Sequence, residues 1–195
     1  MVEVESEFRL AVDTCSSVGT GFILRAWPAC VITAAHNVRL AGVPTPEAVT
    51  LAALASDGSR RFRFQAMALA YPTQWRNADL AVIRLAYALE AADAYETAAV
   101  PATGDFSLEL LSCAMDGPLE ATNLEGRYAS PWIQYTKGVG APSMSGGPLL
   151  RDGRVVGLHV GQIHAAGRDI DAGFPFDGDL ATQCMLATVP RKDEG

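Results

Sequence analysis

Short runs of alternating apolar and polar residues, separated by breaks rich in glycine and proline, occupy most of the first half of the chain. A period of two is typical of β-strands with one buried face. The pattern predicts strands at residues 8–13, 18–24, 29–33, 49–55 and 61–67. The breaks, including Asp57-Gly58, suit turns between antiparallel neighbours.

The second half repeats this design after a change of composition. Residues 86–99 are rich in alanine and acid, which predicts a connection with some helical character. Strands are predicted at residues 107–114, 132–136 and 155–160, and a loop at residues 161–172 because glycine and polar residues dominate there. Leu180, Cys184 and Ala187 recur at helical spacing, so a final helix is predicted, capped by Asp177 or Asp179.

Length and charge narrow the classes of function. A chain of 195 residues with 49% hydrophobic content can bury a large core, and two small β-barrels fit within that length. The net charge of −7 provides no general attraction to nucleic acid or to anionic membranes, so neither is expected as a partner. The acidic residues 1–7 differ from a secretory signal, and we expect a cytoplasmic protein.

The strongest candidate chemistry lies at Ser145, in the sequence Ser-Met-Ser-Gly-Gly-Pro. A serine hydroxyl becomes a nucleophile when a base removes its proton and backbone amides receive the charge on the attacked oxygen. Gly146 and Gly147 have no Cβ, which lets the chain turn tightly and lets a substrate approach. The tripeptide Ser-Gly-Gly alone is weak evidence for a nucleophile, so the assignment depends on finding a base and its partner elsewhere in the chain.

Those partners precede it in the order histidine, aspartate, serine. His36 follows Thr33-Ala34-Ala35 at the end of a predicted strand, where it would act as general base. Asp79 opens the run Asp-Leu-Ala-Val-Ile, where it would orient the histidine ring. Asp57 and Asp93 are rivals, but Asp57 lies in a turn and Asp93 in the connection. A capping or core histidine and a turn aspartate are the structural alternatives.

These pieces resemble the trypsin/chymotrypsin-like serine peptidases. The resemblance rests on four segments in the right order: Gly-Thr-Gly-Phe at 19–22, Thr-Ala-Ala-His at 33–36, Asp-Leu-Ala-Val at 79–82 and Ser-Gly-Gly-Pro-Leu at 145–149. A Gly-Phe-Pro at 173–175 extends the resemblance over almost the whole chain. It implies an all-β fold of two antiparallel six-stranded barrels with a C-terminal helix. Residues 1–90 would form the barrel that carries His36 and Asp79, and residues 91–195 the barrel that carries Ser145 and the substrate pocket, as one catalytic unit.

The chain departs from its secreted relatives at the cysteines. Those relatives usually place a cysteine directly after the histidine, where this chain has Asn37. Its own four cysteines are therefore expected to be reduced and mostly buried thiols: Cys15, Cys30, Cys113 and Cys184.

The resemblance also places a substrate pocket. The strand after the nucleophile would bind substrate through Val160 and Gly161, with His159 and Gly140 nearby. His159 resembles the pocket histidine of viral cysteine and bacterial glutamyl relatives, but the hydroxyl residue expected five positions before Ser145 is Gly140 here. A pocket ligand and a structural histidine therefore both stay open for His159, and His164 receives no role. No acidic residue stands at positions 139 and 140, so cleavage after Arg or Lys is not expected.

The residues before the nucleophile predict a weak enzyme when alone. Digestive relatives have Gly-Asp where this chain has Ser143-Met144, so the ion pair that activates them cannot form. The resemblance implies an oxyanion hole built by the backbone amides of Ser143 and Ser145. A serine in place of glycine at position 143 favours a flipped peptide group, which points a carbonyl into the hole in place of an N–H. We therefore expect substrate, a regulatory partner or a larger parent chain to order the loop.

The sequence hypothesis is a serine endopeptidase that acts on a protein or peptide substrate, with no metal or organic cofactor. A peptidase-like module that binds peptides without cutting them is the main alternative. An esterase using the same three residues is a weaker one.

Overall fold

The computed structural model describes residues 1–9, 14–24, 27–39, 48–54, 60–65, 68–70, 79–85, 94–113, 119–135, 143–165 and 167–176, and the structural statements below concern these. Their secondary structure is a 3₁₀ turn (Ala35–Asn37) and strands β1 (Val2–Arg9), β2 (Thr14–Leu24), β3 (Trp27–Thr33), β4 (Ala48–Leu54), β5 (Arg60–Gln65), β6 (Ala68–Ala70), β7 (Ala81–Arg84), β8 (Asp105–Cys113), β9 (Leu119–Ala129), β10 (Trp132–Tyr135), β11 (Pro148–Arg151), β12 (Arg154–Ala165) and β13 (Arg168–Pro175). Within these ranges no helix has the length and hydropathy needed to cross a bilayer.

The first half forms one antiparallel sheet in the order β5-β4-β1-β2-β3-β7-β6. Both faces of β3 and β7 are buried: successive side chains point to opposite faces, and those of residues 30–33 and 81–83 are all buried. Ile32 and Val82 belong to one hydrophobic cluster, whereas their neighbours Val31 and Ile83 belong to another. The uninterrupted apolar runs of β3 and β7 follow from this double burial.

The predicted six-stranded first barrel is not confirmed, because the described residues of the first half form a seven-stranded sheet whose edge strands are β5 and β6. β5 ends at Gln65 and β6 begins at Ala68, so the two edges lie within about 11 Å of each other at that point. Among the described residues, no hydrogen-bonded ladder joins the two edges.

The second half forms a closed six-stranded barrel in the order β10-β13-β12-β11-β8-β9, which confirms the prediction for this half. β8 alternates exposed and buried residues at its start, with Phe106, Leu108 and Leu110 pointing inward. They pack in one cluster with Leu149 of β11 and Val156 of β12.

A third group of apolar residues joins the two halves. Phe22, Ile32 and Val82 of the first half share one cluster with Leu158 and Phe176 of the second. The connection between the halves is extended where it is described, at residues 94–100. Tyr95 bridges to β2 and Thr97 bridges to β12, so the helical character predicted for residues 86–99 is not found in this part.

One further prediction is corrected, one strand was not predicted, and one prediction lies outside the described residues. Residues 161–172 are not a loop, since most of them continue β12 and β13 as a hairpin whose exposed face carries the polar residues. β9 was not predicted, because Leu124 and Gly126 are its only buried residues. The predicted final helix lies in residues 177–187, outside the described ranges.

Candidate active site

His36 and Asp79 meet where β3 ends and β7 begins. Thr33 and Ala81 are paired in this antiparallel ladder, so the 3₁₀ turn after β3 lies beside the residues before β7. Asp79 Oδ1 accepts a hydrogen bond from the His36 backbone N–H at 2.9 Å, and Asp79 Oδ2 contacts His36 Nδ1. Since a carboxylate only accepts, Nδ1 carries the hydrogen and Nε2 is free to act as a base. The histidine side chain is 45% exposed, so a substrate can reach it.

Ser145 lies in a tight turn between the two halves. The Gly147 N–H donates to the Met144 carbonyl at 3.1 Å, and the Gly146 N–H donates to the His159 carbonyl at 2.8 Å. Gly146 has φ +88°, and a Cβ there would lie 2.1 Å from the Thr20 carbonyl oxygen. Only glycine fits this position, because it needs both a left-handed backbone and the absence of a side chain.

Asn37 connects the turn that carries His36 to the turn that carries Ser145. Its buried Nδ2 donates to the Ser145 carbonyl at 2.8 Å and to Thr33 Oγ1 at 2.9 Å. The Thr20 N–H donates to the same Ser145 carbonyl at 2.9 Å. The main chain of the candidate nucleophile is therefore attached to the first half of the molecule by two bonds.

The Ser145 hydroxyl itself donates to the Val160 carbonyl at 3.3 Å. Within the described part of the chain, no hydrogen bond joins this hydroxyl to the His36 ring. A long bond of this kind is weak, and rotation about the serine Cα–Cβ bond moves the hydroxyl hydrogen to another acceptor. Catalytic contacts are often loose in the absence of substrate.

The predicted oxyanion donors are the amides of Ser143 and Ser145. In the ranges that the structure describes, neither amide donates a hydrogen bond to the protein. Ser143 has φ +78°, which costs a residue with a side chain about 1–2 kcal/mol. Its hydroxyl donates to the Cys113 carbonyl at 2.7 Å, and its carbonyl accepts from Thr20 Oγ1 at 2.7 Å. These buried bonds hold the unfavourable conformation in place.

Of the four predicted pocket residues, three are described. His159 is buried, and its Nδ1 contacts the Tyr135 hydroxyl. Burial, with a smaller effect of Asp171, raises the pKa of Tyr135 well above its ordinary value, so this hydroxyl keeps its proton. Gly161 has φ +117°, and a Cβ there would be 3.9 Å from Ser145 Oγ, which places it beside the nucleophile. Gly140 lies outside the described residues.

No protein-family model and no curated protein sequence matches this chain. Its structure, in contrast, is similar to solved proteases. The Rv3671c protease from M. tuberculosis in its active form matches with a TM-score of 0.67 and 21% identity, covering 96% of this chain and 80% of that chain. A Glu endopeptidase in complex with MPD matches with a TM-score of 0.68 and 15% identity, covering 94% and 89%. The chain has a chymotrypsin-like serine protease fold.

A scabies mite inactivated protease paralogue, S-I1, also has this fold, with a TM-score of 0.66, 16% identity, and coverage of 94% of this chain and 93% of that one. At these identities the similarity concerns the fold. The assignment of chemistry to this chain therefore depends on its own residues.

Asp57 and Asp93 lie outside the described residues. His164 pairs with Asp169 at 3.0 Å on an exposed hairpin. A surface pocket of about 580 Å³ at the second barrel is lined by Tyr135, Asp171 and charged side chains, but not by the three candidate catalytic residues.

Sequence reasoning missed the residues that hold the site together, above all Asn37 and Thr20. Asn37 drew notice only because a cysteine was absent, and Thr20 only as part of Gly-Thr-Gly. A polar residue beside a candidate base and a hydroxyl between two glycines are the signals that were present. Their contacts join positions 108 and 123 residues apart, which no local pattern predicts.

Proposed function

We propose that this chain is a serine endopeptidase that hydrolyses peptide bonds through an acyl-enzyme on Ser145. The observation that carries the proposal is the double contact of Asp79 with His36, on a turn that Asn37 joins to Ser145. An aspartate that binds both the main chain and the ring of one histidine sets the tautomer that a general base needs. A module that only binds peptides has no physical need for that arrangement.

In the proposed reaction His36 Nε2 takes the proton of the Ser145 hydroxyl as Oγ attacks the peptide carbonyl. The amides of Ser143 and Ser145 stabilise the oxyanion of the tetrahedral intermediate. His36 then gives its proton to the departing amine, and the acyl-enzyme forms. A water molecule, deprotonated by His36, attacks the acyl group. The second tetrahedral intermediate expels Ser145 Oγ, which takes the proton back from His36, and the carboxylic acid leaves. Asp79 stays ionised and stabilises the imidazolium in both stages.

We propose that the pocket takes a small or apolar residue, or Glu or Gln, before the cleaved bond, and disfavours Arg and Lys. The absence of acid at positions 139 and 140 supports this proposal. The Glu endopeptidase with the same fold supports the acidic alternative, although its specificity is its own. Substrate would lie along β12 beside Val160 and Gly161.

Two different expectations apply to the loop from Ser143 to Ser145, which would form the oxyanion hole. The sequence predicts a partly collapsed loop that substrate or a regulatory partner orders. The described contacts favour an ordered loop, because the Ser143 carbonyl is bonded to Thr20 inside the protein. Turnover by the isolated chain separates them, since an ordered loop gives fast turnover without any partner.

A peptide-binding module is the second candidate function. One observation favours it: the Ser145 hydroxyl donates to Val160 and not to His36 in the described part of the chain. The inactivated paralogue shares this fold, so the fold alone does not require catalysis.

Labelling of the purified chain with a fluorophosphonate probe tests the proposal. We expect rapid labelling that Ser145→Ala abolishes and that Asp79→Asn slows by about 10⁴-fold, because the tautomer is lost. Ser107→Ala, which removes an exposed hydroxyl bonded to Glu125, is the matched control and should label normally. A folded chain that binds peptides without labelling would identify the binding module, and labelling with ester hydrolysis but no peptide cleavage would identify an esterase.

A further inference from the structure

Thr20 makes contacts with both ends of the segment from Ser143 to Ser145. Its side-chain hydroxyl donates to the Ser143 carbonyl at 2.7 Å, and its backbone N–H donates to the Ser145 carbonyl at 2.9 Å. Thr20 is fully buried, so water does not compete for these bonds. One residue of the first half thereby fixes two carbonyl groups of the loop that carries the candidate nucleophile.

The Thr20 hydroxyl is also a hydrogen-bond acceptor. It accepts the Cys113 N–H at 3.0 Å while it donates to Ser143, so its hydrogen cannot turn elsewhere without leaving an acceptor unserved. Cys113 in turn accepts the Ser143 hydroxyl through its carbonyl at 2.7 Å. Thr20, Cys113 and Ser143 thus form a closed set of three buried bonds, which we call the hydroxyl clamp.

The clamp holds the residue whose amide is one of the two proposed oxyanion donors. Because the side chain and the carbonyl group of Ser143 are both held, the position of its nitrogen is set as well. The φ of +78°, which directs the N–H, is unfavourable for a residue with a side chain, and the buried bonds of the clamp offset that cost. The Ser145 amide is set separately, by the bond from the Gly147 N–H to the Met144 carbonyl.

We propose that Thr20 is a positioning residue for the oxyanion hole: its hydroxyl holds Ser143 in the left-handed conformation that aims the Ser143 amide at the reacting oxygen. The inference rests on the proposed function. It assigns to a side chain of the first half the task that digestive relatives give to the ion pair absent here. Removal of the hydroxyl should therefore produce the collapsed loop that the sequence predicts for the native chain.

Two exchanges at Thr20 and one at Ser143 test the inference. Thr20→Val keeps the shape and removes the hydroxyl, whereas Thr20→Ser keeps the hydroxyl. Each is made in the native chain and with Ser143→Gly, because glycine adopts a positive φ without the clamp. The measurements are the fluorophosphonate labelling rate and kcat and KM for p-nitrophenyl acetate, an ester that needs no specificity pocket, with circular dichroism as the check of folding.

We expect Thr20→Val to lower the labelling rate and kcat by about 10²-fold with little change in KM, as a misdirected oxyanion donor does. Thr20→Ser should restore most of the rate. With Ser143→Gly present, Thr20→Val should cost much less. A purely structural role would instead give the same loss in both backgrounds.

Equal rates for Thr20→Val and the native chain would overturn the inference, as would an equal loss in both backgrounds. If Thr20→Val does not fold, Ser143→Ala and Ser143→Gly replace it: both lose the bond to Cys113, but only alanine resists the positive φ, so alanine must lose more activity. A folded native chain without Ser145-dependent labelling would overturn the proposed function and the inference together, whereas labelling that is indifferent to Thr20 would overturn the inference alone.

Discussion

Two side chains of the candidate site, those of Asp79 and Asn37, each make two contacts. Asp79 uses one oxygen for the His36 backbone and the other for its ring, which fixes the ring against rotation. Asn37 divides its amide between Ser145 and Thr33 in the same manner. Paired contacts of this kind set direction as well as distance, and a proton transfer depends on both.

His159 is held by Tyr135, and the specificity prediction concerns this pair. We expect a peptide-library profile that lacks cleavage after Arg and Lys and peaks at Glu or Gln, or at small apolar residues. If His159 recognises Glu or Gln, Tyr135→Phe should weaken that preference, because Nδ1 loses the hydroxyl it contacts.

Tyr128→Phe is the control, since Tyr128 packs against the core of the second barrel. It should leave the profile unchanged. A native profile dominated by Arg or Lys would contradict the prediction for the pocket. A profile of small apolar residues that Tyr135→Phe does not alter would assign His159 a structural role.

At the scale of single residues, the sequence predicted the pair that meets and missed the residues that hold it. His36 and Asp79 follow and precede apolar strands, so strand pairing alone brings them to one edge of the sheet. Thr20 depends on a contact with Ser143 that exists only once both halves are folded. Short-range patterns carry no information about such a contact.

At the scale of elements, hydrophobic periodicity predicted strands where burial alternates. β8 is an example, because its buried positions follow a period of two. β12 was predicted too short, since a register shift between His159 and Gly161 interrupts the pattern at the site. β9 gave almost no signal because most of its side chains are exposed or half-buried.

The end of β8 predicts a dependence of stability on pH. Burial raises the pKa of the Cys113 thiol to about 11 from an ordinary value of 9.0. The folded chain therefore binds this proton more tightly than the unfolded chain, so the contribution is complete below pH 9 and is lost as the pH rises towards 11. The free energy of unfolding should fall by up to about 1.4 kcal/mol per pH unit in this window.

Urea unfolding at pH 8, 9 and 10 measures this slope. Cys113→Ala should flatten it, whatever the replacement does to stability at pH 8. Cys30→Ala is the comparison, because Cys30 is also a free buried thiol whose pKa burial raises. An unchanged slope in Cys113→Ala would contradict the linkage.

At the scale of the molecule, the two halves share a hydrophobic core and several hydrogen bonds. The ring of Phe22 in β2 packs edge-on against Phe176 and also against Tyr95 of the connection. The predicted division at residues 90 and 91 stays a prediction, but the shared cluster shows that each half buries apolar surface on the other. Hydrophobic periodicity predicts which face of a strand is buried, but not which other strand packs against that face. The sequence therefore did not reveal this joint core.

A shared core predicts that the halves unfold together. Phe22→Ala removes a fully buried ring from the joint cluster and should lower the free energy of unfolding by about 3–5 kcal/mol. Far-UV circular dichroism reports on the strands of both halves, and the fluorescence of a variant that keeps only Trp132 reports on β10. In urea, both reporters should give the same midpoint, and Phe22→Ala should shift both equally, with a smaller shift for Phe22→Leu because the apolar contact is partly kept.

Since Ser145 is attached to the first half through Thr20 and Asn37, activity should be lost at that same midpoint. A Trp132 curve that does not move with Phe22→Ala would show that the second barrel is stable alone, and the joint core would then contribute little to the fold.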